Sequence, residues 1–207
     1  MVRTAPQTEK AEETRLRIVR AASELFGAHG YSATSLSDVI AAAGSTKGGF
    51  YFHFSSKAEL GLAVVADMRG QFTADVLAAT GEHVRASDQL VAMVRAVAEH
   101  SRAKPATTGI GRLCLELREE PEIAISDIDP YGAWVELVRD LLVRAQREGD
   151  LDPALDTAEA ARYAVGAYVG VESLAGESRD DYLRRIDDHL RLTLRALALR
   201  APLLESS

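Results

Sequence analysis

An all-α fold follows from three features of this 207-residue chain. Apolar residues recur every three or four positions, and no stretch sustains the period-two alternation of a strand. Ala, Leu, Val and Arg are abundant while aromatics make up 6%, a mix that favours helices over sheets. Glycine, proline and serine or threonine stand where helices should stop and start.

The elements follow in order. Residues 1–11 are polar and expected to be disordered. From Glu12, the positions Leu16, Ile18, Ala21, Ala22, Leu25 and Phe26 trace one helical face that stops at Gly30. After a connector at 31–34, the capping box Ser35-x-x-Asp38 opens a second helix, with Leu36, Val39, Ile40 and Ala43 inward and Gly44 at its end. Thr46 caps a very short third helix through His53. A second box, Ser56-x-x-Glu59, starts a long helix bearing Leu60, Ala63, Val64, Met68, Phe72, Val76 and Ala79. Further helices are expected at 87–103, at 106–119 after Pro105, at 130–148 with Asp129 as cap and Pro130 at the first position, at 157–176 and at 180–199. That makes about nine helices, with one irregular segment at 120–129.

Composition excludes several classes. One cysteine, Cys114, permits neither an intrachain disulfide nor a paired-cysteine zinc site, and a small buried apolar side chain is its simplest role. Residues 1–15 hold no apolar signal core, and no run approaches the roughly 18 apolar residues of a membrane span. A cytoplasmic protein without membrane contact is expected. Net charge is −7, but residues 1–60 carry seven basic against six acidic residues, leaving the rest at −8. A near-neutral head on an acidic body suits a nucleic-acid reader that avoids promiscuous binding.

The two short helices around Gly44-Ser45 form a helix-turn-helix over residues 35–54. The second helix of such a unit enters the DNA major groove by its N-terminal end. The expected DNA-contacting set is Ser35, Ser45, Thr46, Lys47, Gly48, Phe50, Tyr51, His53 and Lys57. Ser45, Thr46 and Lys47 offer donors to bases or phosphates, and Tyr51 and His53 offer polar tips to phosphate oxygens. Gly48 and Gly49 cost roughly 1 kcal/mol each against Ala in a helix, and their bare backbone allows close approach to a duplex. Phe50 and Phe54, at i and i+4, face inward and pin the helix. Lys57, beside the free amides of the next helix, makes an anion site. Taken singly, His53 reads as structural and Lys57 as a solvated charge; their joint spacing favours the interface.

The run from Thr14 to Leu60 resembles the N-terminal domain of TetR-type regulators. The likeness rests on Ala22-x-x-Leu25-Phe26-x-x-x-Gly30-Tyr31, Thr34-Ser35-Leu36-x-x-Val39, the unbroken run from Ala43 to Phe54, and Lys57-x-x-Leu60. Gly49 and Phe50 depart mildly from the family, which often has a β-branched residue or leucine there. The resemblance implies a homodimer on successive major grooves of a pseudo-palindromic operator, with a DNA-binding domain at 12–72 and a ligand-binding and dimerisation domain at 73–207. Lys47-Gly48-x-x-Tyr51-Phe52-His53-Phe54, with a single Trp after the irregular segment, further resembles the γ-butyrolactone-receptor branch of actinobacteria. In that branch the tryptophan lines the hormone pocket, which maps here to Trp134.

From helical phase, Val65, Met68, Met93, Leu113 and Tyr168 are expected beside Trp134, and Tyr163 or Tyr168 could supply a hydroxyl to a lactone carbonyl. Plain core packing is the competing role for Trp134. Residues 157–176 and 180–199 show small residues on one face, such as Ala160, Ala161, Ala164 and Ala167, as close-packed two-fold interfaces do; an internal hairpin of a monomer is the alternative. No zincin or nucleophile-elbow motif occurs, and Gly109-x-Gly111 lacks the third glycine and preceding strand of a dinucleotide fingerprint. No cofactor, metal or enzymatic activity is expected. The expected function is a repressor that leaves its operator on binding a small apolar effector such as a γ-butyrolactone. The alternatives are a TetR-type regulator answering to an antibiotic, lipid or drug-like ligand, or a helical enzyme or carrier of small molecules.

Overall fold

The computed structural model describes residues 5–81, 83–103, 110–124, 128–129, 131–174 and 179–196. Among them are nine helices and no strand: α1 (Ala5–His29), α2 (Leu36–Ala42), α3 (Lys47–His53), α4 (Lys57–Thr80), α5 (Ala86–Ala103), α6 (Ile110–Leu117), α7 (Gly132–Arg147), α8 (Thr157–Leu174) and α9 (Arg179–Ala196). No described helix is long and apolar enough to cross a membrane. The expected elements at 1–4, 106–109, Pro130, 175–176 and 197–199 lie outside the described residues.

The chain divides into two compact units, Met1–Arg69 with Ala106–Pro130, and Gly70–Pro105 with Tyr131–Ser207. A boundary at residue 72 places α6 differently. In the structure, Leu113, Cys114 and Leu117 of α6 are buried in the same core as Ile18, Tyr31 and Leu60. Gly61 is the reason α6 can sit so close: a Cβ there would lie 2.5 Å from Leu117 Cδ2. Burial pushes the Cys114 thiol up to about 11, so it stays protonated as a small apolar group.

The first unit is assembled by local signals. Helix α1 begins at Ala5, which corrects the expectation of disorder over residues 5–11. Gln7, Glu9 and Lys10 are good helix formers, and Pro6 is tolerated in a first turn. At the other end Gly30 adopts φ +88, and Thr34 Oγ1 donates to the Gly30 carbonyl at 2.8 Å. The α2 capping box forms as expected: Asp38 N–H donates to Ser35 Oγ at 3.1 Å, and Ser35 N–H donates to Asp38 Oδ2 at 3.0 Å. Gly44, at φ +57, makes the turn, and Thr46 Oγ1 accepts from Gly49 N–H at 3.0 Å to open α3. The α4 box is shifted. Ser56 Oγ accepts from Glu59 N–H at 3.0 Å, but the Glu59 carboxylate reaches back to Ser55 N–H at 2.7 Å instead of to Ser56.

The second unit packs α5, α7, α8 and α9 with the later part of α4 around Leu90, Val97, Leu142, Ala161 and Ile186. Helix α7 starts at Gly132 with Tyr131 as N-cap and no side-chain cap bond. This corrects the placement of Asp129 as its cap. The α5 start is held instead by the far end of α7: Ala86 N–H donates to the Glu148 carboxylate at 2.8 Å, and Ser87 Oγ donates to Asp150 at 2.6 Å. Gly149, at φ +79, turns the chain so that both acids reach α5.

Helix α3 depends on Phe50, which is 0% exposed and stacks 5.7 Å from the buried Phe54 ring. Phe50→Ala should cost about 3–5 kcal/mol of stability, measured by urea unfolding. Phe52→Ala, two residues on, should cost under about 0.5 kcal/mol. Equal losses would mean that α3 is not anchored through Phe50.

Candidate nucleic-acid interface and apolar cavity

Helix α3 sorts its side chains by face. Phe50 points into the core, so the residues on the opposite face are free to meet a partner. Thr46, Lys47 and Gly48 are exposed, Tyr51 is 49% exposed and Phe52 is 76% exposed. Ser45 and His53 are half-buried at the rims, and the Phe52 ring stands edge-on to His53 at 4.9 Å. Ser35 is exposed, with its hydroxyl engaged by Asp38 at 2.6 Å.

One member of the expected contact set needs correction, and a second gains a structural partner. Phe50 supports the helix and does not lie on the contacting face, because its whole side chain is consumed by the core. Lys57 is not a loose surface charge: its Nζ sits 4.1 Å from the Tyr31 ring centroid, a cation–π contact. Burial lowers the affinity of Lys57 for its proton, and the Glu120 and Glu116 carboxylates oppose that effect. Phe52 was absent from the expected set. Its signal was available, since a residue two positions from an inward Phe50 faces outward.

The two adjacent glycines differ. A Cβ at Gly49 would lie 2.9 Å from Ser45 Oγ and 3.2 Å from Thr46 Oγ1, so Gly49 keeps the helix cap undisturbed. A Cβ at Gly48 would meet nothing within 4 Å, and its φ is not positive. Nothing in the fold calls for glycine at 48, on the exposed face.

Behind this surface, two acids of α6 grip the connector after α1. Tyr31 Oη donates to Glu120 Oε1 at 2.7 Å, and Ser32 N–H donates to Glu116 Oε2 at 2.7 Å. Arg112 pairs with Glu116 at 3.0 Å. Burial first, and then the bond to Glu120, push the Tyr31 phenol well above its ordinary value.

In the second unit, Trp134 lies at the wall of a cleft whose empty volume is about 450 Å³, open mouth included. Met93 and Tyr168 line it as expected, with Leu90, Val138, Ala164, His189 and Thr193. The Trp134 ring meets Phe72 of α4 at 4.9 Å and Tyr168 at 5.0 Å, both edge-on. Its Nε1 is buried with no acceptor among the described residues. Val65, Met68 and Leu113 are a correction: all three are buried in the core of the first unit and none lines the cleft. Helical phase identified their apolar face correctly but not the unit it packs in. Tyr163 is also ruled out as a source of the polar contact, being 68% exposed. His189 and Thr193 were missed. Both flank the apolar stripe Ile186, Leu190 and Leu194, a spacing that marks them as inward-facing but does not mark them as cleft lining.

The family model described as bacterial regulatory proteins, tetR family, matches residues 18–64. The HTH-type transcriptional regulator TtgR of Pseudomonas putida is 30% identical over 174 residues, covering 78% of this chain and 79% of that protein. The A-factor receptor protein of Streptomyces griseus is 25% identical over 191 residues. That match covers 91% of this chain but 65% of the receptor, so the chain spans just under two thirds of its length. A solved structure reported as the molecular basis for control of antibiotic production by bacterial hormones superposes with a TM-score of 0.78 at 30% identity, covering 89% of this chain and 97% of that one.

The raised Tyr31 phenol fixes the sign of an alkaline effect. Its neutral form is favoured by folding, so its contribution is complete below the unfolded value of about 10 and is lost as pH rises beyond that. Tyr31→Phe should cost about 1–3 kcal/mol at pH 7. The gap between wild type and variant in urea unfolding should narrow above pH ~10. A gap constant from pH 7 to 11 would contradict the assignment.

Proposed function

The chain belongs to the TetR family of bacterial regulatory proteins, and on that premise we propose that it is a homodimeric transcriptional repressor that occupies a pseudo-palindromic operator and leaves it on binding a small, mostly apolar effector of the γ-butyrolactone type. The observation that carries DNA binding is the exposed face of α3, above all Gly48, whose lack of a side chain serves no packing need. A duplex backbone or base edge approaching within van der Waals distance supplies that need. Lys47 provides charge-assisted donors beside it, Thr46 and Tyr51 provide hydroxyls, and Phe52 offers an apolar surface to thymine methyl groups.

Likeness to the A-factor receptor protein and to the structure reported for the control of antibiotic production by bacterial hormones supports the effector class. The cleft supports it chemically. Its wall is apolar apart from a few polar groups, as in most small-molecule sites, and the Trp134 N–H awaits an acceptor such as a lactone carbonyl. The effector touches Trp134, Trp134 touches Phe72, and Phe72 lies on α4, the helix that begins at Lys57. A shift of α4 then changes the separation of the two recognition helices. Release requires the effector to prefer the DNA-free state by about 1–3 kcal/mol or more per site. The exposed Tyr163 of α8 and Leu192 of α9 belong to the proposed dimer interface over 157–176 and 180–199. TtgR is named a transcriptional regulator and the Streptomyces griseus protein a receptor, and the enzyme or carrier alternative draws no support from either.

The full-length protein should retard its own promoter fragment in a gel shift that weakens steeply with salt. Lys47→Ala should cost about 1–3 kcal/mol of operator affinity with the fold intact. Gly48→Ala should separate the two roles of the helix, raising stability by up to about 1 kcal/mol while weakening the operator complex. A Gly48→Ala variant with unchanged affinity would defeat the close-approach reading. Trp134→Phe should leave operator affinity alone but reduce the potency of an alkyl γ-butyrolactone in releasing it, by about two- to tenfold. Unchanged potency would return Trp134 to a packing role.

A further inference from the structure

We infer that the cleft selects an uncharged ligand carrying a hydroxyl group, and that His189 on α9 is the residue that receives this hydroxyl and so determines specificity. The inference rests on the effector reading above and adds to it the polarity of the ligand and the residue that tests for it.

No charged side chain lines the cleft among the described residues. A carboxylate or ammonium brought into it would lose its hydration without meeting a counter-ion, at a cost of several kcal/mol. The polar groups present are neutral and few. His189 is nine-tenths buried, and that burial disfavours its protonation, although donation to the Ala164 carbonyl works the other way. A neutral imidazole donates from one nitrogen and accepts at the other. With one N–H spent on Ala164, the remaining nitrogen is an acceptor. The polar neighbour of Nε2 is Thr193 Oγ1, at 3.5 Å, the outer limit of a hydrogen bond. The cleft therefore holds an under-used acceptor, and a ligand O–H at ordinary hydrogen-bonding distance would satisfy it better than Thr193 does.

At the other side of the cleft, Trp134 Nε1 is a donor without an acceptor. The Tyr168 ring packs against both, 5.0 Å from the Trp134 ring and 6.5 Å from that of His189. One unpaired donor and one under-used acceptor, both beside the Tyr168 ring in a lining of Leu, Val and Met, describe the complement of a neutral molecule. It has a hydrogen-bond acceptor at one point, a hydroxyl at another and a hydrocarbon body.

The single tryptophan of the chain lines this cleft, so its fluorescence reports occupancy directly. The full-length protein is titrated with 1-decanol, methyl decyl ether and decanoate at one pH. Decanol should bind about tenfold more tightly than the ether, which keeps an acceptor but has no O–H, and decanoate more weakly than either. His189→Leu should erase the alcohol-over-ether preference while leaving the affinity for the ether within about threefold; His189→Gln, which keeps an acceptor, should retain part of it. Decanol and the ether binding wild type alike, decanoate binding best, or His189→Leu keeping the preference would overturn the role of His189 and leave the effector reading standing. If none of the three perturbs Trp134 emission, the effector cleft itself is wrong. The wild-type comparison decides the matter even if a variant fails to fold.

Discussion

A seven-residue helix carrying two glycines has too little of its own to hold it in water. Helix α3 exists because Phe50 is inserted, fully buried, into a core built by α1, α4 and α6, with Phe54 packed beside it. Everything proposed for the interface depends on that one insertion. It fixes which way Lys47, Gly48, Tyr51 and Phe52 face, and it lets the helix present a nearly bare backbone. Arg15 of α1 adds a cation over the Phe54 ring at 5.4 Å, so the anchor is closed off from both sides.

The same unit shows how an acidic chain can still hold a surface for a polyanion. Glu116 and Glu120 are directed inward to Ser32, Arg112 and Tyr31. They are spent on hydrogen bonds that tie α6 to the α1–α2 connector. Burial alone would raise the Glu116 carboxylate, but the bonds from Ser32 and Arg112 prevail and hold it below its usual range. Asp38 and Glu59 are likewise absorbed, the first by the α2 cap Ser35 and the second by Ser55, beside the α4 cap. Acids near α3 are thus committed to structure, while Lys47 remains exposed.

What the sequence disclosed and what it withheld divide along a physical line. Ser35-x-x-Asp38, Thr46 and the glycines at 30, 44 and 149 are local devices, and each is found where the pattern placed it. The inward turn of Phe50 was equally legible from its spacing to Phe54. Long-range packing was not legible. The face of α4 bearing Val65 and Met68 is apolar as expected, yet nothing local says that it meets α6, because Leu113 and Leu117 arrive from about fifty residues further along the chain. Trp134 stood out by being unique. His189 did not, since a histidine flanking a leucine stripe has the same pattern whether it is a packed core residue or a lining of a cleft. The shift of the Glu59 bond to Ser55 shows the limit even of local reading, because two adjacent serines compete for one carboxylate.

The alternation of duties around α3 has an evolutionary consequence. The residues that keep the helix in place and those that face outward are different residues, with Thr46 and Gly49 tending the cap between them. Substitutions at 47, 48 and 52 therefore leave the anchor untouched, while Tyr51 also rests edge-on against the Phe50 ring at 5.3 Å. On the proposed reading, base preference can drift among paralogues, or be rewritten by design, almost independently of stability, whereas Gly48, which the fold itself leaves free, is held by the duplex.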